Sequence, residues 1–384
     1  MARHIIPDVP YIYQGIVPSC HVTCLRMLLE FYGMKHSFSY LINLSGFNYG
    51  FTYFKGTNRA FACSESPFGP WPFVGFVAEK MGCTCELIKD KTWDETRKLL
   101  KGYVDKNIPV YMPMLNMQHL WKTAIPVPHI VLLCGYDEEK DLVMIHDPGL
   151  GEIGEGIQYL PMQYLPPDGL REGELYRGKS GAYAEFKMDD FKKACDLKGT
   201  SWEGTWKNGL AVICPPSGQP RVSWAEVINR NARLELGKIE DVIEEELGNT
   251  NTFGPDGIME LAADIERGFG LFSKPEALIG ILGGLSGMTF RVGSAYKKDG
   301  DAFLAGLAAA TNNKDLGSAS YYLRSAALCY DQGLAEIEPI LENKAAYAKD
   351  LSAALKRTAE VLRRAAEYES KAGESLISPA KALD

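Results

Sequence analysis

Between residues 214 and 220 the chain reads Cys214-Pro215-Pro216-Ser217-Gly218-Gln219-Pro220, three prolines and a glycine within seven positions. Proline removes a main-chain donor and fixes φ, so neither a helix interior nor a central strand passes through such a run. The chain must therefore divide there. Residues 1–215 read as mixed helix and strand, and residues 222–384 as helical. A length of 384 residues agrees with two domains of ordinary size. The expected fold class is α+β, an N-terminal domain of helices and strands followed by an all-α domain.

Ser223 followed by Glu226 is a capping-box signature, and apolar residues recur at helical spacing through Val227, Leu234, Ile239 and Val242. A last helix around Lys344–Lys371 carries Ala348, Leu351, Leu355, Leu362 and Ala366 on one face. That stripe must pack on another helix of the same bundle or form the seam of a homodimer, and the pattern is the same for both. Gly280, Gly283, Gly284 and Gly287 follow no strand and precede no Gly-Lys-Ser/Thr, so a phosphate loop is excluded. Small residues at 283 and 287 are expected to let helices approach closely.

A formal charge of -8 and a pI near 5.5 disfavour nucleic acid and anionic membrane as main partners, because both need a basic surface. The first ten residues hold Pro7 and Pro10 and lack the charged and apolar regions of an export signal. Ala277–Phe290, the longest apolar stretch, spans 14 residues and is interrupted by glycines, short of the roughly 20 that a membrane span needs. Nine cysteines, an odd number without a C-x-x-C pair, suit reduced thiols in a cytoplasm and give no zinc pattern. No cofactor is expected.

Chemistry is concentrated in the first 150 residues. Pro18-Ser19-Cys20 opens an apolar segment that stops at Gly33 and reads as a buried helix. Cys20 falls in its first turn, where unpaired N–H groups and the positive end of the dipole favour a thiolate. Cys24 lies one turn deeper and lacks that advantage. On its own, a cysteine at this place more often just packs. Gln14, six residues upstream, adds an amide able to donate to an oxyanion formed at Cys20.

His129 opens the apolar run Ile130-Val131-Leu132-Leu133-Cys134-Gly135-Tyr136-Asp137, and a second strand ends Ile145-His146-Asp147-Pro148. The two form a hairpin. If the loop is Glu138-Glu139-Lys140, an odd length puts His129 and Asp147 on one face, within hydrogen-bonding reach; an even loop would bring His146 there instead.

These residues resemble the papain-like fold, in its peptidase C39-like branch, and within that proteins similar to butirosin biosynthesis protein H. The resemblance rests on Gln14 with Cys20 and the helix ending Phe31-Tyr32-Gly33, on His129 running into Gly135-Tyr136-Asp137, and on Asp147-Pro148. The narrower likeness uses Thr23, Leu25, Arg26, Leu28 and Leu29, the Gly46–Phe54 stretch, and Phe290-Arg291, Phe303-Leu304 and Tyr322-Leu323-Arg324 in the helical tail. The pattern departs in having His21 after Cys20, where papain-like peptidases commonly carry glycine.

The resemblance implies that Cys20 is a nucleophile, His129 its general base and acid, Asp147 the group that orients the histidine, and Gln14 an oxyanion donor. Acyl transfer or amide-bond chemistry on a small-molecule or carrier-bound substrate is the leading expectation. A C39-like peptidase or amidase acting on a peptide is the first alternative, and a binding or scaffold module that has lost the reaction is the second. Trp71, Phe73 and Tyr53 are read as core aromatics.

Overall fold

In the computed structural model the strand opened by His129 is buried along its whole length, from His129 to Asp137. The structure describes residues 3–14, 19–63, 71–115, 119–120, 128–149, 151–153, 156–158, 181–198, 206–238, 251–342, 347–377 and 379. Two compact units divide the chain: Met1–Leu41 with Pro67–Arg221, and Ile42–Ser66 with Val222–Asp384.

In chain order the elements begin β1 (Arg3–Ile5), α1 (Cys20–Phe31), α2 (Phe38–Ser45), β2 (Thr52–Phe54) and β3 (Arg59–Phe61). There follow α3 (Trp71–Lys80), β4 (Cys85–Ile88), α4 (Trp93–Val104), β5 (Val110–Met114), β6 (His129–Asp137) and β7 (Leu142–His146). A small pair, β8 (Gly151–Ile153) and β9 (Gly156–Gln158), precedes β10 (Ala184–Lys187), α5 (Met188–Cys195) and β11 (Leu210–Ile213). The first unit is built on an antiparallel sheet of order β10-β7-β6-β5-β11-β4, with β1 also on β6. Continuous apolar character in β6 follows from its central place, which leaves neither face to water.

The β6–β7 hairpin differs from expectation in one respect that matters. Asp137 pairs with Leu142, so the loop is residues 138–141, four rather than three. Asp137 Oδ1 accepts from the N–H groups of Glu139 and Lys140 at 3.0 Å each, and Asp141 takes a left-handed φ of 52°. An even loop alone would put His129 and Asp147 on opposite faces. The register shifts between Leu133 and Gly135, however, where Cys134 is an extra residue in β6. This bulge restores the parity: Leu132 pairs with His146, and His129 returns to the face of Asp147.

The second unit contains α6 (Trp224–Glu235), β12 (Asn251–Phe253), α7 (Gly254–Glu266), α8 (Pro275–Leu285), α9 (Val292–Thr311), α10 (Lys314–Glu342) and α11 (Tyr347–Ile377). It is not wholly helical, because β12 pairs with β2, which pairs with β3. Ser223 caps α6, accepting from Glu226 N at 3.2 Å; Ile239 and Val242 lie outside the described residues. Leu355, Leu362 and Ala366 of α11 sit in the core with Ile258, Leu261, Leu282 and Phe290, so the stripe packs inside its own unit.

One π turn, Ser286–Arg291, joins α8 to α9, and the helical run Pro275–Thr311 is by length and composition able to cross a membrane. Leu278, Leu282, Leu285 and Phe290 of that run are nonetheless buried core residues. Gly283 is not a site of close approach as expected: apart from its own stretch of helix, no described atom lies within 4 Å of where its Cβ would stand. Close approach falls instead at Gly333, whose missing Cβ would lie 2.8 Å from Phe290 Cδ1.

A fully buried charge cluster ties the Ile42–Ser66 segment to these helices. Lys297 Nζ lies 2.8 Å from Glu235, 3.2 Å from Glu369 and 3.3 Å from the Gly50 carbonyl. Burial lowers the affinity of Lys297 for its proton, but the two carboxylates outweigh it and hold the ammonium above its usual range. Burial pushes the Glu369 carboxyl upward, against the opposing pull of Lys297.

Candidate active site

Ser19 is the N-cap of α1, its hydroxyl accepting from Val22 N at 3.4 Å, and Cys20 is the first helical residue. An N-cap of this kind stabilises a helix by about 1 kcal/mol and fixes where it begins. Cys20 is partly exposed. Cys24, four residues on and so on the same face of α1, is fully buried, with its Sγ 3.5 Å from the carbonyl of Ile130. The face of α1 that holds Cys20 is thus the face that meets β6 at the residue following His129. Burial and the neighbouring Cys20 and Asp147 hold the Cys24 thiol well above the ordinary range.

His129 and Asp147 are both buried, at 3% and 1% exposure, and His129 Nδ1 stands 3.8 Å from Asp147 Oδ1. That is an electrostatic contact beyond hydrogen-bond reach, so the direct bond expected from the hairpin is absent. Nδ1 lies instead 2.9 Å from the Ile130 carbonyl. Asp147 is held on three sides: its Oδ1 accepts from Gly149 N at 3.0 Å, its N donates to Gly181 at 2.9 Å, and its carbonyl accepts from Tyr11 Oη at 2.9 Å.

Gln14 is brought beside this pair. Its N–H donates to the Pro148 carbonyl at 3.0 Å, and its Oε1 is buried with no hydrogen-bond partner among the described residues. His146 does not replace Asp147; it packs edge-on to Tyr11 and Tyr183, with ring centroids 5.6 and 4.3 Å away. Burial, opposed by the Pro10 carbonyl, lowers His146 to about 4. His21 is buried too, lowered to about 3 by burial and by the proximity of His129. Phe73 and Tyr53 are fully buried core residues, each in its own unit, and Trp71 is half-buried.

Three contributors were not anticipated. Gly149 could have been suspected from Asp147-Pro148-Gly149, a turn sequence. Tyr11 gave no signal, because a loop tyrosine has no periodicity to reveal its partner. The third, the Ile130 carbonyl, is main chain, and sequence patterns speak of side chains. All of these residues belong to the first unit. Among the described residues no group of His, Cys, Asp and Glu is arranged to hold a metal.

No curated protein matches the chain. Residues 6–164, which include Gln14, Cys20, His129 and Asp147, match the model of the family described as Peptidase_C39 like family, in support of a C39-like, papain-like reading of this part of the chain.

Proposed function

We propose that the chain performs thiol acyl chemistry in which Cys20 is transiently acylated. The observation that carries this reading is that Cys20 starts α1 on the face that meets β6 beside His129, inside the residues of the family match. The helix end stabilises an anion by about 0.3 to 1 kcal/mol, less than one pKa unit. Reaching a thiolate at neutral pH needs more than that, and an imidazolium is the group able to supply it.

Cys20 Sγ attacks the acyl carbon, and the carbonyl π pair moves to oxygen, where the Gln14 amide donates to the oxyanion. Collapse expels the leaving thiol or amine, which takes a proton from the His129 imidazolium. An incoming amine or water, deprotonated by His129, then breaks the acyl–sulfur bond and restores Cys20. Asp147 steadies the positive ring by its charge.

Transfer to an amine, from a small-molecule or carrier-bound donor as in proteins similar to butirosin biosynthesis protein H, is the reading we favour. A second reading, peptide or amide hydrolysis, uses the same acyl-enzyme and is equally compatible with the family match. Incubation with acyl thioesters and with peptides, followed by intact mass, separates them. An acyl adduct on Cys20 that added amine diverts from acid to amide supports transfer. Rapid peptide cleavage with indifference to amines supports the hydrolase, and no adduct from either donor leaves a binding module.

A further inference from the structure

Ile130 pairs with Pro113 across β5. On the other side Leu132 pairs with His146, and the same register carried two residues further sets Pro148 opposite Ile130. In an antiparallel ladder a residue directs both main-chain groups to the neighbour it faces. Proline offers no N–H. Whichever strand Ile130 faces, its carbonyl therefore meets no ladder donor, and a buried carbonyl without one is costly. Two side chains fill the gap: His129 Nδ1 at 2.9 Å and Cys24 Sγ at 3.5 Å.

A carbonyl only accepts, so the nitrogen that approaches it must carry the proton. We infer that the Ile130 carbonyl, left open by Pro113 and Pro148, is a positioning group that holds the proton of neutral His129 on Nδ1 and leaves Nε2 bare. Its use in catalysis rests on the thiol chemistry proposed above. Nε2 is buried and has no partner among the described residues. Gly149 leaves room beside it, since a Cβ there would stand 3.0 Å from Nε2. Asp147, 3.8 Å from Nδ1, then acts by charge and does not select the tautomer.

Long-range nitrogen–proton correlation on the 15N-labelled chain, with His129 assigned from His129→Gln, reads the tautomer directly. The expected neutral ring shows a protonated Nδ1 and an unprotonated Nε2; the reverse pattern overturns the inference. Pro113→Ala and Pro148→Ala each offer Ile130 a new N–H. At least one should weaken the Nδ1–H form and move the pH profile of Cys20 alkylation by about half a unit or more. A spectrum and profile untouched by both would also overturn it. If either variant misfolds, the native spectrum still decides. Slow alkylation of Cys20 in the native protein would sink the thiol chemistry and leave the nitrogen spectrum unaltered, so the two failures are distinguishable.

Discussion

The main-chain N–H of Gln14 donates to the carbonyl of Pro148 at 3.0 Å, which anchors a loop glutamine to the residue that follows Asp147. Alanine keeps that bond and loses only the amide. Gln14→Ala should therefore fold normally and turn over roughly a hundredfold to a thousandfold more slowly, the usual loss of one oxyanion donor. Unchanged turnover, measured with a donor that acylates the native protein, would reduce Gln14 to an anchor.

Cys20 should be alkylated at pH 6 faster than any other cysteine, with Cys24 unlabelled. The contrast is internal to one helix, since burial keeps the Cys24 thiol protonated. Peptide mass across pH 5 to 9, in the native chain and in His129→Ala, gives the test. Equal labelling at pH 6, indifferent to loss of His129, would remove Cys20 from the chemistry.

Gly149→Ala places a methyl group 3.0 Å from His129 Nε2 and 3.2 Å from Asp147 Oδ1. These contacts are tight enough that the ring must give way, and a misplacement of this order is expected to slow turnover about tenfold to a hundredfold. Thermal unfolding should show the fold retained. Native rates in this variant would mean that His129 tolerates displacement.

Acid should destabilise the first unit through His146. Its folded-state value of about 4 lies below its ordinary 6.5, so the unfolded chain binds the extra proton and stability falls as pH drops from about 6.5 to about 4. The lowering corresponds to roughly 3 kcal/mol at 1.36 kcal/mol per pH unit. Denaturant titrations of His146→Phe, which keeps a ring between Tyr11 and Tyr183, should show a flatter acid limb. An acid limb as steep as the native one would assign the effect elsewhere, His21 being the next candidate.

Lys297→Met should cost about 3 to 5 kcal/mol, because it strands Glu235 and Glu369 without their cation. Denaturant midpoints measure it. A midpoint unchanged within error would show that the cluster contributes little net stability.

The α+β class and the helical character of the later part of the chain were legible in the proline-rich break, in the apolar run of β6 and in the capping of α1 and α6. Less legible was the grouping of Ile42–Ser66 with the helices, since it depends on Gly50 meeting a lysine and a glutamate from far along the chain. The short strand β12 went unseen because three residues carry no alternation to detect. At the candidate site order and spacing put His129 and Asp147 on one face, as the structure has them, but the direct bond they led us to expect is absent. Its place is taken by a carbonyl whose availability depends on prolines in two other segments.

The bulge at Cys134 makes the hairpin a counting device. Were Cys134 drawn into the ladder opposite Ile145, His129 would come into phase with His146 and Asp147 would turn to the far side, whereas losing Cys134 outright would keep Leu133 opposite Ile145 and leave the phase intact. The phase of the site therefore depends on Cys134 staying out of the ladder rather than on its presence in the strand. A related chain with an odd loop and no bulge would reach the same pairing by a different count.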